Sequence, residues 1–368
     1  MGLITPTKKV TVSGSWAIGL LTPGAAAGLT IALDAPDGID PQALSGFYSA
    51  ASYWSTVLAD NVEVRLTVDF TSLPAGVLGS TSATYGSFEV SDVFSYLAID
   101  ATSDHDLIAT SHFPSLNNET FLSFVTQTNT EGGSTSTSLD NDTSLFIPIT
   151  GDNLNSAANN NRFLALTTAN AKALGWQAPD PTASDGSITF SSGFSWDFDQ
   201  SDGIDDGRQD FVGVAIHEIG HALGFVSGVD AVDQAIDSQG DLDPYAVFSI
   251  LDMYRYSSDG TLNLAAGVES YFSLDGGATS LATFSTGVSN GDGRQASHWK
   301  DNQNYGLMDP TTNPAGQSNS ISQLDLLAFD VIGWDLQVSA IPEPTSTLAL
   351  SLLLASSLGF RKRTPSNR

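Results

Sequence analysis

Residues 210–230 read DFVGVAIHEIGHALGFVSGVD and contain the pattern H-E-x-x-H at positions 217–221. The residues before the pattern are mostly apolar and include no proline, which predicts an α-helix. Asp210 can cap the start of this helix by accepting hydrogen bonds from its first N–H groups. Gly224 predicts the end of the helix, because glycine readily adopts the left-handed conformation that stops one. A single predicted helix therefore carries the whole pattern.

The pattern combines the side chains that a metal-dependent hydrolase needs. Residues four apart share one face of a helix, so His217 and His221 can reach the same metal ion. Glu218 lies beside them and can take a proton from a water that zinc has made acidic. So short a pattern also arises by chance, and a helical histidine can be an ordinary core residue. The helical context, in a chain with only five histidines, favours zinc binding.

The chain is strongly acidic and lacks cysteine. Its 368 residues include 41 Asp and Glu against 13 Lys and Arg, which gives a net charge of −28. Such a charge disfavours binding to nucleic acid or to anionic membrane surfaces. The absence of cysteine excludes disulfides, thiolate zinc ligands, cysteine nucleophiles and a thiol-based latency switch. The composition suits a soluble extracellular protein, or one that holds divalent cations.

Acidic residues cluster at positions 197–206, just ahead of the predicted helix. Asp197, Asp199 and Asp202 offer the oxygen ligands that calcium prefers, and the stretch resembles a calcium loop. Its spacing departs from that of an EF-hand, with one extra residue before Asp202. The alternative is a solvated acidic turn. The sequence leaves open whether Ca²⁺ binds here.

Two helical histidines need at least one more protein ligand, with a further position open for water. Four candidates remain: Ser227, Asp230, Glu269 and His298. Ser227 stands where the extended pattern H-E-x-x-H-x-x-G-x-x-H has its third histidine, but a neutral hydroxyl is a poor zinc ligand. Asp230 is near in sequence and offers an acceptable carboxylate, whereas Glu269 lacks a clear helix around it. His298 is the one remaining histidine in a suggestive context.

The first part of the chain predicts a strand, a helix and a second strand. Apolar residues indicate a strand at 29–35 and a helix that begins at Asp40-Pro41. Residues 62–70 alternate strictly between apolar and polar, which is typical of a half-buried strand. This order of elements favours a right-handed crossover and a parallel pair of strands.

Two later stretches carry local signals. Residues 117–141 are rich in Ser, Thr, Asn and Gly, which predicts a surface loop. Residues 320–334 predict a final helix, in which Ser320 and Gln323 form a capping box. The chain is thus expected to belong to the α+β class.

The motifs around the histidines resemble those of the leishmanolysin branch of the metzincin metalloproteases. The resemblance rests on the zinc helix with its His-Ala-Leu-Gly-Phe, a long insertion, His298-Trp299, and then Leu-Met-x-Pro at 307–310. It extends loosely from about residue 29 to 334 and is specific only at these segments. The chain lacks the many cysteines of that family and is closer to the cysteine-free metalloproteases that bacteria export.

The resemblance implies a zincin fold and a role for two further residues. His298 would be the third zinc ligand, with Asp230 as the alternative, and Met308 would form a methionine turn that packs beneath the metal. Residues 28–337 would form the catalytic domain. Its N-terminal subdomain, 28–224, would hold a twisted mixed sheet, a backing helix and the zinc helix. The smaller, irregular C-terminal subdomain, 225–337, would hold the methionine turn and the final helix.

The two ends predict export. Residues 1–27 carry a basic start, a short apolar stretch and small residues, as a secretory signal peptide does. Residues 338–368 resemble the PEP-CTERM sorting signal of Gram-negative bacteria, with Pro-Glu-Pro, a short apolar segment at 345–360 and a basic cluster. This resemblance implies an exosortase-type sorting enzyme as partner, transient retention in the inner membrane, and a secreted or cell-surface protein. The alternatives are a disordered N-terminus and a plain tail anchor.

Together these patterns predict a zinc-dependent endopeptidase that acts on a protein or peptide substrate, with Glu218 as general base. The alternative from another class is a catalytically silent zincin-fold protein of the cell surface or extracellular matrix. A zinc hydrolase that acts on other bonds is also compatible with the sequence.

Overall fold

A computed structural model describes residues 10–11, 17–18, 28–130, 134–140, 159–238 and 242–337. The predicted signal peptide lies outside the described residues except for two dipeptide strands, and the predicted sorting tail lies wholly outside them. Within the described part of the chain, no helix is both long enough and apolar enough to cross a membrane.

The fold is of the mixed α+β class. The helices are α1 (Pro41–Val57), α2 (Val90–Asp100), α3 (Asp104–Ser111), α4 (Asn159–Arg162), α5 (Thr168–Ala173), α6 (Phe211–Ala222), α7 (Val229–Ser238) and α8 (Gln323–Val331). The strands are β1 (Val10–Thr11), β2 (Ala17–Ile18), β3 (Thr30–Asp34), β4 (Glu63–Thr71), β5 (Gly79–Glu89), β6 (Phe124–Thr130), β7 (Ser134–Asp140), β8 (Phe163–Thr167), β9 (Trp176–Gln177), β10 (Gly186–Ser191), β11 (Trp196–Asp197), β12 (Gln209–Asp210), β13 (Arg255–Ser258), β14 (Thr261–Leu262), β15 (Tyr271–Phe272) and β16 (Ala282–Thr283).

The main sheet has six strands in the order β1-β5-β10-β4-β3, and β8 also pairs with β5. Strands β3, β4 and β10 run parallel, so the predicted parallel pair of β3 and β4 is confirmed. Strand β5 runs antiparallel to β10 and makes the sheet mixed. Helix α1 packs on β3 and on α6, and α6 packs on β5. The helix that carries H-E-x-x-H is therefore enclosed between the sheet and α1.

Helix α1 forms where the sequence predicts it and supports α6. The Asp40 side chain caps it by accepting from the N–H groups of Gln42 and Ala43. Trp54 lies on its buried face, and its indole N–H donates to the carbonyl of Ile216 at 3.0 Å. The backing helix thus fixes α6 through a buried polar contact as well as apolar packing.

Two local predictions are wrong. Residues 124–130 and 134–140 pair as the antiparallel strands β6 and β7 instead of forming a surface loop, because Ser and Thr suit a strand as well as a loop. The last helix begins later than predicted, and its capping box joins Ser322 and Asp325 instead of Ser320 and Gln323. Asp325 also accepts from the backbone N–H groups of Leu307 and Met308, which lie in a loop that precedes the helix. The sequence around the helix does not predict these contacts.

The chain after α7 contains little regular structure. Strands β13 to β16 form a four-stranded antiparallel sheet, and residues 284–322 form turns up to the start of α8. Many large apolar side chains of this part are nevertheless buried, including Trp299, Met308 and Phe329. Its packing therefore rests on side-chain contacts and not on long backbone ladders.

Candidate metal centre

Helix α6 is held rigidly in the core. Asp210 caps it, accepting from the N–H of Gly213 at 2.9 Å, and Gly224 stops it with a φ of +122°. All twelve helical residues are buried. The predicted helix, cap and stop are confirmed.

Three imidazoles converge at the end of this helix. Nε2 of His221 lies 3.1 Å from Nε2 of His217 and 3.1 Å from Nε2 of His298. Among the described residues, these three form the one group of at least three His, Asp or Glu side chains whose ligand atoms all lie within 4.8 Å of each other. Such a group could hold a metal ion. Of the four candidates for a third ligand, the structure brings His298 to the helical pair.

The hydrogen bonds of the three rings fix where their protons lie. Nδ1 of His217 faces the carbonyl of Leu307 at 2.7 Å, and Nδ1 of His221 faces that of Phe225 at 2.7 Å. Nδ1 of His298 faces the carbonyl of Gln295 at 3.2 Å. A carbonyl only accepts, so each Nδ1 carries the proton of a neutral ring and each Nε2 keeps its lone pair. Three lone pairs thus face one another, an arrangement that a cation relieves.

Burial keeps the rings neutral. Burial and the neighbouring His221 together lower the pKa of His217 to about 3, and burial lowers that of His221 to about 4. Burial together with the two other rings lowers the pKa of His298 well below its ordinary value. Neutral imidazole is the form that binds metals.

Glu218 is the buried acid of the site. Its side chain is 0% exposed, and burial raises its pKa to about 7. The Thr81 hydroxyl lies 2.6 Å from Oε2 and 2.9 Å from the carbonyl of the same residue, so it can donate to either. Oε1 has no hydrogen-bond partner within the described part of the chain. A buried carboxylate oxygen without a partner is costly unless something else occupies the site.

The segment that presents His298 is held by two charged side chains, Asp230 and Arg255. Asp230 accepts from the N–H of Ala296 at 2.6 Å and from both the N–H and the hydroxyl of Ser297. Arg255 donates to the carbonyl of Ala296 at 3.3 Å from the other side. Burial raises the pKa of Asp230 to about 6, although the hydrogen bonds from Ala296 and Ser297 lower it. Asp230 therefore positions the residues before His298, and its oxygens already have partners.

A second buried carboxylate organises the methionine turn. Asp325 on α8 accepts from the Trp299 indole at 2.8 Å and from the N–H groups of Leu307 and Met308 at 2.7 and 3.2 Å. Because the Leu307 carbonyl accepts from His217, this carboxylate acts on the site through one residue. Met308 is fully buried and lies against Gly220 of α6, where an added Cβ would stand 3.0 Å from Sδ. The methionine thus packs under the helix of the histidines.

The other predicted site residues lie elsewhere. The Ser227 hydroxyl donates to Asp252 at 2.5 Å, and the exposed Glu269 pairs with Lys300 at 2.8 Å.

The acidic loop holds its carboxylates with backbone contacts. Asp197 accepts from the N–H groups of Asp199 and Asp205, and Asp199 accepts from that of Ser201. The carboxylates of Asp197, Asp199 and Asp202 are not among the described groups gathered within 4.8 Å. Calcium at this loop stays a prediction.

Sequence reasoning missed Thr81, Arg255 and Asp325. Thr81 lies in the stretch GSTSATYGSFE, whose small polar residues conceal an eleven-residue strand. The signal for Asp325 was an acidic residue between two leucines on a predicted helix, at a position where water cannot compensate its charge. Such a residue must find buried donors, but the sequence alone does not say which.

A depression of about 320 Å³ lies beside Leu307, the residue whose carbonyl faces Nδ1 of His217. It is lined by Leu307, Asp309 and residues 319–322, among others. One oxygen of Asp309 is buried and has no hydrogen-bond partner among the described residues. Burial and the charges of Asp325 and Asp301 raise the pKa of this carboxyl to about 7.

Comparison of the chain with protein-family models, with curated proteins and with solved structures found no match.

Proposed function

We propose that this protein is a zinc-dependent endopeptidase of metzincin type, similar to the leishmanolysin branch. The observation that carries the proposal is the group of three neutral imidazoles whose Nε2 lone pairs converge beside Glu218. At zinc–nitrogen distances of about 2.0–2.1 Å, two ligands of a tetrahedral ion lie about 3.3 Å apart. The separations of 3.1 Å are close to that value. The donor set and its spacing therefore fit zinc.

Each side chain has a defined task in this proposal. His217, His221 and His298 would hold the ion, which supplies a Lewis acid that polarises a carbonyl and acidifies water. Glu218 takes the proton of the attacking water on Oε1 and passes it to the leaving amine. The Thr81 hydroxyl occupies Oε2 and leaves Oε1 available for this transfer. A carboxyl with a pKa near 7 can serve as base and then as acid at neutral pH.

The neighbouring strand supports a peptide as substrate. Residues 79–81 of β5 pair with β10 on one side, and no described strand pairs with these three residues on the other. Thr81 and Gly79 in this stretch both lie against Glu218. An extended peptide can add to such an edge through its backbone and place a peptide bond next to the acid.

The experiment that tests the proposal measures casein hydrolysis and zinc content for the full chain, Glu218→Gln and Glu269→Gln. We expect the wild type and the Glu269→Gln control to cleave casein, because Glu269 is exposed and is not part of the group of imidazoles. Glu218→Gln should keep zinc and lose activity by about 10²–10⁴-fold. Absence of zinc from the wild type, or full activity of Glu218→Gln, contradicts the proposal.

The burial of the site favours a second candidate, a catalytically silent zincin-fold protein of the cell surface. His217, Glu218, His221 and His298 are all at most 5% exposed. A structural metal site needs no access for a substrate. If the wild type binds zinc and hydrolyses neither casein nor a peptide library, this candidate replaces the first.

We further infer export through a signal peptide at 1–27 and a PEP-CTERM-type tail at 338–368. The support is the order of Pro-Glu-Pro, apolar stretch and basic cluster in the tail. Removal of residues 342–344, tested by fractionation in a host that has an exosortase, should leave the protein in the inner membrane. Unchanged release after this deletion contradicts the inference.

A further inference from the structure

The last described residues, 334–337, form a strap that lies along residues 57–60 at the end of α1. The N–H of Asp335 donates to the Asp60 carboxylate at 2.9 Å. The carbonyl of Asp335 accepts from the N–H of Ala59 at 2.7 Å. The pairing continues in the next residue as an isolated antiparallel bridge. The strap is thus held by its own backbone and by one carboxylate of the body.

The strap connects two functional parts of the chain. Its first residue, Trp334, is buried and donates its indole N–H to the carbonyl of Leu223, at the end of α6, at 2.8 Å. At its other end, the chain continues into residues 338–368, the predicted sorting tail. Whatever loosens the strap therefore acts on the end of the histidine helix and on the stretch ahead of the tail.

Three carboxylates next to the strap share the donors of two adjacent residues. Thr102 donates its hydroxyl to Asp335 at 2.5 Å and its N–H to Asp106 at 3.0 Å. Ser103 donates its N–H to Asp106 at 3.0 Å and its hydroxyl to Asp330 at 2.7 Å. A continuous row of carboxylates therefore runs from the strap to α3 and α8.

Two more carboxylates face this row, and no strong cation compensates them. Burial and the charges of Asp335 and Asp100 raise the pKa of Asp60 well above its ordinary value. Burial and the charges of three other carboxylates raise the pKa of Asp100 to about 7. Among the ion pairs of the described residues, the five carboxylates appear only in a contact of 3.9 Å between Asp330 and the exposed His105 ring. Like charges gathered in this way favour the protonated forms.

One further titratable group faces the cluster, and it carries no positive charge. Tyr254 lies in the turn before β13, and its hydroxyl donates to the carbonyl of Val331 at 2.7 Å. Burial, together with the charges of Asp106 and Asp330, raises its pKa well above the ordinary value, so the phenol stays neutral. The charge of the cluster therefore depends on its carboxyl groups.

We propose that these five carboxylates form a pH-sensitive fastening, which holds the strap at acidic pH and loosens it as the pH rises. When they carry protons, the strap stays paired with residues 57–60. When they ionise, Asp335 is the one that can move away, because the other four belong to helices or to the turn after α1. Repulsion between like charges therefore acts on the strap. This fastening goes beyond the proposed hydrolysis and does not depend on it.

The direction of the pH effect follows from the bound protons. The folded state binds the protons of Asp60 and Asp100 more tightly than the unfolded chain does. Their contribution to stability is therefore fully present below about pH 4 and is lost as the pH rises through about 7. A rise in pH should free the end of α6 from Trp334 and expose the chain just ahead of residue 338.

The test is hydrogen exchange of the full chain with zinc, followed by mass spectrometry, near pH 5.5 and near pH 8, with rates normalised to those of an unstructured chain. Protection of residues 334–337 should fall about tenfold between the two conditions, while protection of β10, the internal reference, stays constant. The combined substitution Asp60→Asn/Asp100→Asn should keep the strap protected near pH 8, since the amide oxygen of asparagine can still accept from Asp335. Asp92→Asn, at an exposed position in the first turn of α2, is the matched control and should behave as the wild type.

Three results overturn the proposal. They are equal protection of the strap in both conditions, a fall that the combined substitution leaves unchanged, and a loss of protection that β10 shares. If the combined variant does not fold, Asp100→Asn alone decides the question, because this residue is only partly buried and lies at the end of α2. It should reduce the fall in protection about threefold, and an unchanged fall contradicts the fastening.

Discussion

The helical pair of histidines and His298 reach the same centre by different means. His217 and His221 are placed by helix α6, whose backbone bonds to itself and whose core contacts are mostly apolar. His298 belongs to a stretch of turns between β16 and α8, where backbone pairing is limited to isolated bridges such as that of Phe284 with Trp299. There, buried carboxylates accept from the backbone N–H groups that a helix would otherwise satisfy.

The two halves of the site, the helical histidines and the segment of His298, therefore differ in which contacts keep them in place. A regular helix tolerates the loss of one side chain because its own hydrogen bonds remain. An irregular buried segment that is fixed by one carboxylate loses several contacts with that single group, and each donor left behind is unsatisfied. We therefore expect the half of the site around His298 to be the more sensitive one.

The largest effect is expected for Asp325→Ala. The carboxylate accepts from four donors, which are the Trp299 indole and the N–H groups of Leu307, Met308 and Ser322. At about 1–3 kcal/mol for each buried unsatisfied donor, and with partial relaxation, the free energy of unfolding should fall by about 4 kcal/mol. Urea denaturation measures it. Ser322→Ala, which removes the cap alone, should cost about 1 kcal/mol. Equal losses in the two variants contradict the role given to Asp325.

Asp230→Ala should act on metal binding more than on the fold. Its carboxylate holds the N–H groups of Ala296 and Ser297 just ahead of His298. Loss of an outer contact of this kind costs about 10–100-fold in metal affinity. Competition between the protein and a chromophoric zinc chelator measures the change, with Glu269→Gln as the unaffected control. A loss as complete as that of His298→Ala would mean that Asp230 itself binds the metal.

The same difference explains how much the sequence could predict. The helix, its cap at Asp210 and its stop at Gly224 follow from neighbouring residues, as does the helical face that carries both histidines. His298 could be proposed only as one of four candidates, which a resemblance between motifs then favoured, since nothing local says that residues 77 positions apart will meet. The roles of Arg255 and Asp325 depend on tertiary contacts throughout, and these were missed.

Strand β5 shows a further limit. Its first half reads GSTSA, with no apolar alternation, because the buried face carries the small residues Gly79, Thr81 and Ala83 and the other face carries two half-buried serines. Gly79 has no room for a larger side chain, as an added Cβ would stand 2.8 Å from the ring of Phe190. Close packing against α6, which is invisible in the local pattern, selects residues that read as a loop.

Gly220→Ala tests the contact between the two halves of the site. Alanine favours a helix over glycine by about 1 kcal/mol, but its Cβ would stand 3.0 Å from Sδ of Met308 and 3.2 Å from the ring of Phe329. Overpacking costs about 1–3 kcal/mol, so the free energy of unfolding should fall by about 1 kcal/mol on balance. In a Met308→Ala background, the same substitution should cost less or stabilise, since the Sδ contact is gone. Equal costs in both backgrounds, measured by urea denaturation, would mean that the methionine does not press on the helix.

The smallest effect is expected for Asp330→Asn, on the pH dependence of stability. Asp330 lies near two other carboxylates, those of Asp106 and Asp335. Burial and the charge of Asp106 raise the pKa of Asp330 to about 7, and Asp335 adds to this. Ser103 donates to the carboxylate, and the exposed His105 ring lies 3.9 Å from it. Because the folded state holds this proton more tightly than the unfolded state does, its contribution to stability is present near pH 4 and is lost as the pH rises toward 7. Asp330→Asn should therefore reduce the fall in unfolding free energy between pH 5 and pH 7.5 by about 1 kcal/mol. If the unfolding free energies of the wild type and the variant change in parallel with pH, Asp330 is ionised in the folded state. That would mean that hydrogen-bond donors stabilise its charge.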